Sequence, residues 1–270
     1  MFTITSPWMF LMFFLVKSFP TNSFASTFTV INNCPQTIWP GTLVGSRTPQ
    51  LLTIGISTFL GWSGRIWARI GCKFDESRVG TCKMGDYGRR LECDGVGVAL
   101  PVSLFKITMG TGAIEKDFYD VSIVDGYSLP LIAAPQGVFG VCNALDVFKT
   151  STKIIVARSN ASSLMGMNLM PPTTITVINK NFVGCPKELQ VVNRDNGEVG
   201  VVGCRSACDA FGLDQYCYSG EFANTTTCRP TSYSTIFKTS YLRAYSYAFD
   251  DGTNCRHPIF DRHLDSGVID

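Results

Sequence analysis

The stretch "DFYDVSIVDGYSLPLIAAP", residues 117–135, alternates apolar and polar side chains and is interrupted by glycine and proline. This two-residue period is that of a β-strand with one buried face. Three further stretches share the pattern: "STFTVINNC", "SGRIWARIGC" and "VSLFKITM". Short strands between Gly, Pro and Asn turns are typical of an antiparallel sandwich. The sequence therefore predicts a mainly β fold.

Helix signals are few and lie towards the C-terminal end of the chain. In "RSACDAFG", Ser206 is a candidate N-cap residue. In "PTSYSTIFKTSYL", either Thr231 or Ser232 follows Pro230 in the position of an N-cap. We therefore expect a cysteine-rich, partly helical lobe from about residue 185 to residue 228.

The composition excludes several classes of protein. Of 270 residues, 45% are hydrophobic and 16% charged, which is typical of a chain with a core and not of a disordered tail. The net charge is +2 and there is no Lys/Arg run, so nothing favours nucleic acid as a partner. The two histidines, His257 and His263, have no CxxC pair near them, and no cofactor motif is present. We expect neither a metal nor a cofactor.

The N-terminus has the pattern of a secretory signal peptide over residues 1–25. An apolar run from Trp8 to Val16 is followed by Ser23 and Ala25, small residues in the −3 and −1 positions of a cleavage site. The alternative is a membrane anchor, but the run is shorter than the roughly 20 residues that span a bilayer. We expect cleavage after Ala25, secretion, and one domain over residues 26–270.

Secretion decides how the cysteines are interpreted. All 11 cysteines lie at or after Cys34, and in an oxidising compartment they indicate disulfides and not metal ligands. Since the number is odd, at least one thiol has no partner within the chain. Two Asn-X-Ser/Thr triplets, at Asn160 and Asn224, are candidate glycosylation sites in a secreted protein.

Several stretches together resemble the thaumatin-like proteins, the pathogenesis-related family of plants. They are "FTVINNCPQTIWPG" (28–41), "WSGRIWARIGCKFD" (62–75), "DFYDVSIVDGYSLPLIAAPQG" (117–137), "CPKELQVV" with "CRSACDAFGLDQYC" (185–217), and "YSTIFKTSYLRAYSYAFDD" (233–251). The resemblance implies a flattened antiparallel β-sandwich with disulfide-stapled, partly helical lobes and an acidic cleft. It also implies a monomer secreted into the apoplast. Many members act against fungi, and some bind or slowly cleave β-1,3-glucan of the fungal cell wall.

The resemblance further implies a cysteine pairing. The pairs with both partners present are Cys72–Cys82, Cys185–Cys204 and Cys208–Cys217. Where the family has cysteine, this chain has Tyr87, Tyr218 and Tyr241. The cysteines left without the family's partner are Cys34, Cys93, Cys142, Cys228 and Cys255. Each lost bridge costs about 2–5 kcal/mol, so we expect a fold of marginal stability.

Two larger departures concern chain segments. Residues 148–182 interrupt a junction that the family makes short, and they contain no cysteine. Since long structureless loops are uncommon inside compact domains, we expect this insertion to be a disordered loop or a translated intron. The family's closing strand, which ends in Cys-Pro, is missing after Cys255.

Three residues match the charged cleft of the family: Arg65, Asp120 and Asp125. The family's glutamate falls at Leu104, and another of its acids falls at Arg243. Since leucine cannot donate a proton to a leaving oxygen, we expect no catalytic residue and no enzyme activity.

Other interpretations of these residues stay open. Either aspartate is equally suited to accept backbone hydrogen bonds at a turn, and Arg65 to form a surface salt bridge. Phe118, Tyr119 and Tyr127 would stack on sugar rings if exposed, although aromatic residues in strands more often belong to a core. For the whole protein the alternatives to glucan binding are a weak endo-β-1,3-glucanase, an inhibitor of microbial hydrolases, and a non-functional degenerate copy.

Overall fold

The structure is a computed structural model that describes residues 25–45, 56–59, 61–92, 95–110, 117–135, 173–178, 184–193 and 200–250. Its strands are β1 (Ala25–Asn33), β2 (Ile38–Val44), β3 (Ile56–Phe59), β4 (Ser63–Ile70), β5 (Lys73–Phe74), β6 (Gly80–Thr81), β7 (Leu104–Thr108), β8 (Phe118–Ser122), β9 (Gly126–Tyr127), β10 (Leu131–Pro135), β11 (Thr173–Ile178), β12 (Gln190–Asn193) and β13 (Gly200–Arg205). The helices are α1 (Ala207–Phe211), α2 (Asp214–Cys217) and α3 (Ser232–Ser240).

Two four-stranded sheets enclose the main core. The first sheet has the strand order β10-β11-β1-β3, and the second sheet has the order β2-β4-β7-β8. The ring of Phe28 on β1 lies 5.8 Å from that of Phe105 on β7 and 6.2 Å from that of Trp62, so the two sheets pack directly against each other. This arrangement confirms the mainly β sandwich predicted from the alternating strands.

One strand pair departs from the antiparallel pattern. β1 and β11 run parallel, with a register from Phe28 opposite Thr173 to Asn33 opposite Ile178. The other pairings between described strands are antiparallel. Because a parallel partner must return over a long connection, β1 and β11 are far apart in sequence.

β11 lies within residues 148–182, which the sequence analysis expected to be a disordered loop or a translated intron. For Thr173–Ile178 that expectation is wrong, since the strand lies between β10 and β1 and pairs with both. Ile175 and Val177 are each only 1% exposed. The signal was present in "TTITVI", whose residues are all β-branched and alternate between threonine and an aliphatic side chain over residues 174–177. Residues 148–172 and 179–182 lie outside the described ranges.

The buried position of β11 predicts a large effect of truncating one side chain. We expect Ile175→Ala to lower the free energy of unfolding by about 2–5 kcal/mol, the usual range for a buried Ile→Ala change. Thr176→Ala, on the partly exposed face of the same strand, should cost much less. Urea unfolding of the two variants measures the difference, and equal small losses would show that this segment is not part of the core.

A small lobe, residues 71–92, is fastened to the second sheet by one buried arginine. Arg69 on β4 is 0% exposed. Its guanidinium donates hydrogen bonds to the carbonyl oxygens of Trp39 (3.4 Å) and Pro40 (3.2 Å) on β2. It also donates to the carbonyl oxygens of Arg90 (3.1 Å) and Leu91 (2.8 Å) in the small lobe. A buried charge is tolerated when its donors are satisfied in this way.

Tyr87 occupies the position at which the family resemblance implies a cysteine. Its ring contacts Trp67 edge to face at 5.4 Å between centroids, and the guanidinium of Arg69 lies 4.5 Å from the ring centre. The Tyr87 hydroxyl donates to the carbonyl oxygen of Leu91 at 3.0 Å. The tyrosine thus holds the small lobe by packing, a cation–π contact and a hydrogen bond.

Two substitutions separate the roles of the Tyr87 ring and hydroxyl. Tyr87→Ala should lower the free energy of unfolding by about 3–5 kcal/mol, because it leaves a cavity beside Trp67 and Arg69. Tyr87→Phe should cost about 0.5–1.5 kcal/mol, since the Leu91 carbonyl keeps its bond from Arg69. Chemical unfolding monitored by Trp fluorescence gives both values. A Phe variant as unstable as the Ala variant would contradict this account.

The helical lobe is held by two of the three described disulfides. Cys185–Cys204 and Cys208–Cys217 are bonded, as is Cys72–Cys82 in the small lobe, which are the pairs that the resemblance implied. Gly126 is required where β9 meets β13, because it has φ +90° and a Cβ atom would lie 2.4 Å from the carbonyl oxygen of Cys204.

Both longer helices begin at residues that the sequence analysis named. The Ser206 side chain accepts a hydrogen bond from the backbone N–H of Asp209 at the start of α1. For α3 the structure decides between the two candidates: Thr231 is the N-cap, and it forms a capping box with Ser234. In the described part of the chain, no helix is long and apolar enough to cross a membrane.

The other two tyrosines at expected cysteine positions are also packed. Tyr241 is buried and contacts Tyr127 edge to face at 4.7 Å. Burial raises the pKa of Tyr218, and the neighbouring Cys228 raises it further. Cys34 and Cys228 are free thiols within the described ranges, and burial raises the pKa of each. Cys93, Cys142 and Cys255 lie outside the described residues.

Candidate functional site

A row of charged side chains crosses the outer face of the second sheet. On β7, Lys106 pairs with Arg65 of β4 on one side and with Asp120 of β8 on the other. Directly opposed residues in antiparallel strands have Cβ atoms about 4.5–5.5 Å apart, so these three side chains are neighbours. We call Arg65, Lys106 and Asp120 the charged row.

Two residues further along β7, on the same face, the paired residues carry hydroxyl groups and an aromatic ring. Thr108 pairs with Ser63 on one side and Phe118 on the other, and the two hydroxyl oxygens lie 3.2 Å apart. Phe118 is 48% exposed. Residues two apart on a strand share a face and are separated by about 7 Å. The charged row together with Ser63, Thr108 and Phe118 is called the binding face.

The other two aromatic residues considered in the sequence analysis belong to the core. Tyr119 and Tyr127 are buried, and burial raises the pKa of each phenol to about 12. Tyr119 points to the opposite face of β8 from Phe118, because successive strand residues alternate. Of the three, only Phe118 offers a ring to a ligand.

Leu104, which the sequence analysis placed at the family's cleft glutamate, does not face the open part of this surface. It is 1% exposed and packs with Trp67, Tyr87 and Val102 beneath the small lobe. Lys106, two residues further along β7, lies between Arg65 and Asp120 instead. A Leu104→Glu substitution would therefore bury a carboxylate in the core and would not restore a cleft acid.

Sequence reasoning missed Lys106 for a physical reason. Alternation shows that Leu104 and Lys106 share one face of β7, but not which of them the small lobe covers. The strand register, which only the structure shows, identifies Lys106 as the β7 residue opposite both Arg65 and Asp120. The match of Leu104 to the family's glutamate stays a prediction, and in this structure the β7 residue within the charged row is Lys106.

The electrostatics of the charged row follow from its burial and its two cations. Burial raises the pKa of Asp120 to about 6, and the charges of Lys106 and then Arg65 act in the opposite direction. The Lys106 ammonium donates a hydrogen bond to the Ser122 hydroxyl at 3.0 Å. The Arg65 side chain is exposed and makes no hydrogen bond or ion pair with any residue that the structure describes. With two cations and one carboxylate, the charged row is not acidic.

The remaining charged candidates lie elsewhere. Asp125 is in the turn between β8 and β9. Burial chiefly raises the pKa of Tyr218 in the helical lobe, and the charges of Cys228 and then Asp125 raise it further. The structure therefore brings Arg65 and Asp120 together but places Asp125 outside the charged row. Arg243 is exposed in the turn after α3, two residues before Tyr245, which hydrogen-bonds to the β8 edge through Val121 and Ile123.

Comparison with known proteins identifies the family. The model of the thaumatin family matches residues 32–261 of this chain. The chain belongs to the thaumatin family. Pathogenesis-related protein 5 of Arabidopsis thaliana is 42% identical over 240 residues, which cover 85% of this chain and 84% of that relative. Thaumatin-like protein 1 of Pyrus pyrifolia is 38% identical over 240 residues, covering 84% of each chain.

A solved structure is also similar, at greater distance. The thaumatin-like xylanase inhibitor TLXI is 22% identical with a TM-score of 0.40, covering 57% of this chain and all of that one. Membership of the thaumatin family, with relatives named as pathogenesis-related proteins, supports a defence-associated role for this protein.

The chemistry open to this thaumatin-family site is limited by its carboxyl groups. Glycoside hydrolysis uses two carboxyl groups about 5–9.5 Å apart on either side of the bond. Within the charged row Asp120 is the one carboxyl group, and the residue beside it is a cation. Across the described ranges, no group of three metal-ligating side chains is arranged to hold a metal ion. The arrangement suits binding of a polar ligand.

Asn224, one of the two glycosylation candidates, lies on the surface of the helical lobe. Its side-chain oxygen accepts hydrogen bonds from the backbone N–H groups of Thr226 (2.9 Å) and Thr227 (3.0 Å). The residue is exposed, which is the position that a glycan requires. Asn160 lies outside the described residues, and modification of either site stays a prediction.

The charged row predicts how the Asp120 carboxyl titrates. Lys106→Met should raise the Asp120 pKa above its value of about 6, and Arg65→Met should raise it less, because Lys106 has the larger effect. Lys73→Met, which removes an exposed charge from β5, should leave it unchanged. Carbon-detected NMR titration of the carboxyl measures all three.

The raised pKa of Asp120 also makes the stability of the protein depend on pH. Because the folded protein holds this proton more tightly than the unfolded chain, Asp120 makes the free energy of unfolding fall as pH rises from about 3.8 to about 6. Lys106→Met should steepen that fall. A titration of Asp120 near pH 4 would contradict the assigned effect of burial.

Proposed function

We propose that this protein is a secreted, defence-associated protein that binds β-1,3-glucan of the fungal cell wall through the binding face without hydrolysing it. The observation that carries the proposal is the exposed ring of Phe118 beside Asp120 and Lys106 on one sheet surface. Family membership supports the role in defence, and the N-terminal signal pattern supports secretion.

Sugar binding requires both an apolar plane and polar groups. The binding face presents them side by side, on residues that are paired with each other or two residues apart on one strand. Phe118 supplies a ring on which the apolar face of a pyranose stacks. Thr108 and Ser63 supply hydroxyls, and Asp120 supplies a carboxyl group, for sugar hydroxyls. Since all of them lie on paired strands, the surface is held rigid before a ligand arrives.

The absence of hydrolysis follows from the charged row. A general acid without an opposing carboxylate lacks the nucleophile or base that the second half of the reaction needs. The residue directly opposite Asp120 on β7 is Lys106, which is a cation and not a second carboxylate. General acid catalysis alone contributes only about 10²–10⁴-fold, so the proposal excludes a useful rate of glucan cleavage.

Glucan pull-down tests the proposal. Phe118→Ala should weaken retention on insoluble β-1,3-glucan about tenfold, which corresponds to about 1.4 kcal/mol of stacking energy. Leu213→Ala, which truncates an apolar side chain with 50% exposure on the helical lobe, is the matched control and should bind like the natural protein. Equal binding by all three proteins would place glucan elsewhere.

A reducing-end assay on soluble β-1,3-glucan completes the test. The natural protein should release no reducing ends above background over hours at pH 5 and at pH 7. Clear turnover would show that a carboxyl group outside the charged row acts as the second catalytic residue.

A further inference from the structure

The charged row has a feature that a neutral glucan does not use. The Arg65 side chain is exposed and has no hydrogen-bond or ion-pair partner among the described residues. Its neighbour across the strands is a second cation, Lys106. Asp120 compensates only one of these two charges. Covering the row with a neutral sugar would remove water from a cation and offer it no opposite charge, which costs free energy.

We propose that the binding face takes hexuronate units, sugars that carry a carboxylate, in preference to neutral sugars. The proposal rests on the proposed function, in that the binding face is a polysaccharide-binding surface. It adds to that function a preference for acidic polysaccharide chains over a neutral glucan.

The geometry of Arg65 and Lys106 fits a carboxylate. The planar guanidinium of arginine binds a carboxylate through two parallel N–H···O bonds, and a lysine ammonium adds a point charge. Directly opposed on paired strands, the two side chains reach the same ligand oxygen atoms. Lys106 keeps donors available, since its described hydrogen bond to Ser122 uses one of three.

Phe118 places the sugar ring correctly for this contact. It is the diagonal neighbour of Lys106, because Phe118 pairs with Thr108, two residues further along β7. Diagonal neighbours lie about 7–8 Å apart, within reach of aromatic and long side chains. The Lys106 ammonium is directed toward Ser122, on the side of Asp120 away from Phe118. With one sugar ring stacked on Phe118, the carboxylate that meets the two cations therefore belongs to the next sugar of the chain.

The Asp120 carboxylate repels an anionic ligand but does not cancel the attraction of that ligand to Arg65 and Lys106. It lies on the far side of Lys106 from Arg65, so the end of the row at Arg65 stays positive. Removing its charge should strengthen binding of an acidic sugar and leave binding of a neutral one little changed. This gives Asp120→Asn an effect opposite in sign to Arg65→Met.

The test compares binding of one oligosaccharide with and without its carboxylate charges. Calorimetry on the full-length protein measures binding of three oligosaccharides of equal length: an oligogalacturonide, its methyl ester, and a β-1,3-glucan. The methyl ester has the same backbone as the acid but no charge. We expect the acid to bind about tenfold more tightly than the ester, as for two partly exposed ion pairs to one ligand charge. The preference should shrink in about 0.5 M salt, where exposed charges are screened.

Substitutions test whether the charged row causes the preference for the acid over the ester. Arg65→Met and Lys106→Met should each reduce it several-fold, Asp120→Asn should increase it, and Lys73→Met, on β5, should leave it unchanged. Circular dichroism of each variant checks that the fold is kept.

Each outcome decides the proposal. If the glucan binds and the acid and ester bind equally, the proposed function holds and the uronate preference is overturned. If no saccharide binds, both fail. If the acid is preferred but the preference survives both Arg65→Met and Lys106→Met, another surface carries it and the proposal is wrong.

Discussion

The buried guanidinium of Arg69 is the interaction on which the rest of the second sheet depends. It joins two carbonyl groups of β2 to two of the small lobe and has Tyr87 on one side. Arg69, Trp67 and Arg65 share one face of β4 because they are two residues apart. The small lobe covers the first two and stops before Arg65, so the edge of the lobe determines where the binding face begins.

Tyrosine in place of cysteine changes how the lobes are stabilised. A disulfide acts chiefly by restricting the unfolded chain, whereas a packed aromatic ring acts in the folded state. Tyr87 and Tyr241 are both buried against other aromatic residues. The thiol of Cys228 remains beside Tyr218, and burial raises the pKa of both groups. Stability in these lobes therefore depends on close packing around the tyrosines.

The two faces of the second sheet are under different physical constraints. Its inner face packs against the first sheet through Phe105, Ile107 and Val121, and a change there would leave a cavity or a clash. Its outer face meets solvent at Arg65, the exposed end of the charged row, where a change of charge costs little stability. A thaumatin-family chain can thus keep its core while its surface charge, and with it the ligand, changes.

The sequence by itself determined the strands β1, β4, β7, β8 and β10, because alternation of apolar and polar residues specifies which side chains share a face of a single strand. It also located the Ser206 cap, and through the family resemblance it indicated the three disulfide pairs. The resemblance grouped Arg65, Asp120 and Asp125 at one site, of which the structure brings the first two near each other. Only the tertiary structure decided which strand lies beside which, and what covers each face. For that reason Leu104 proved to be buried, Lys106 proved to lie between Arg65 and Asp120, and Thr173–Ile178 proved to be a central strand.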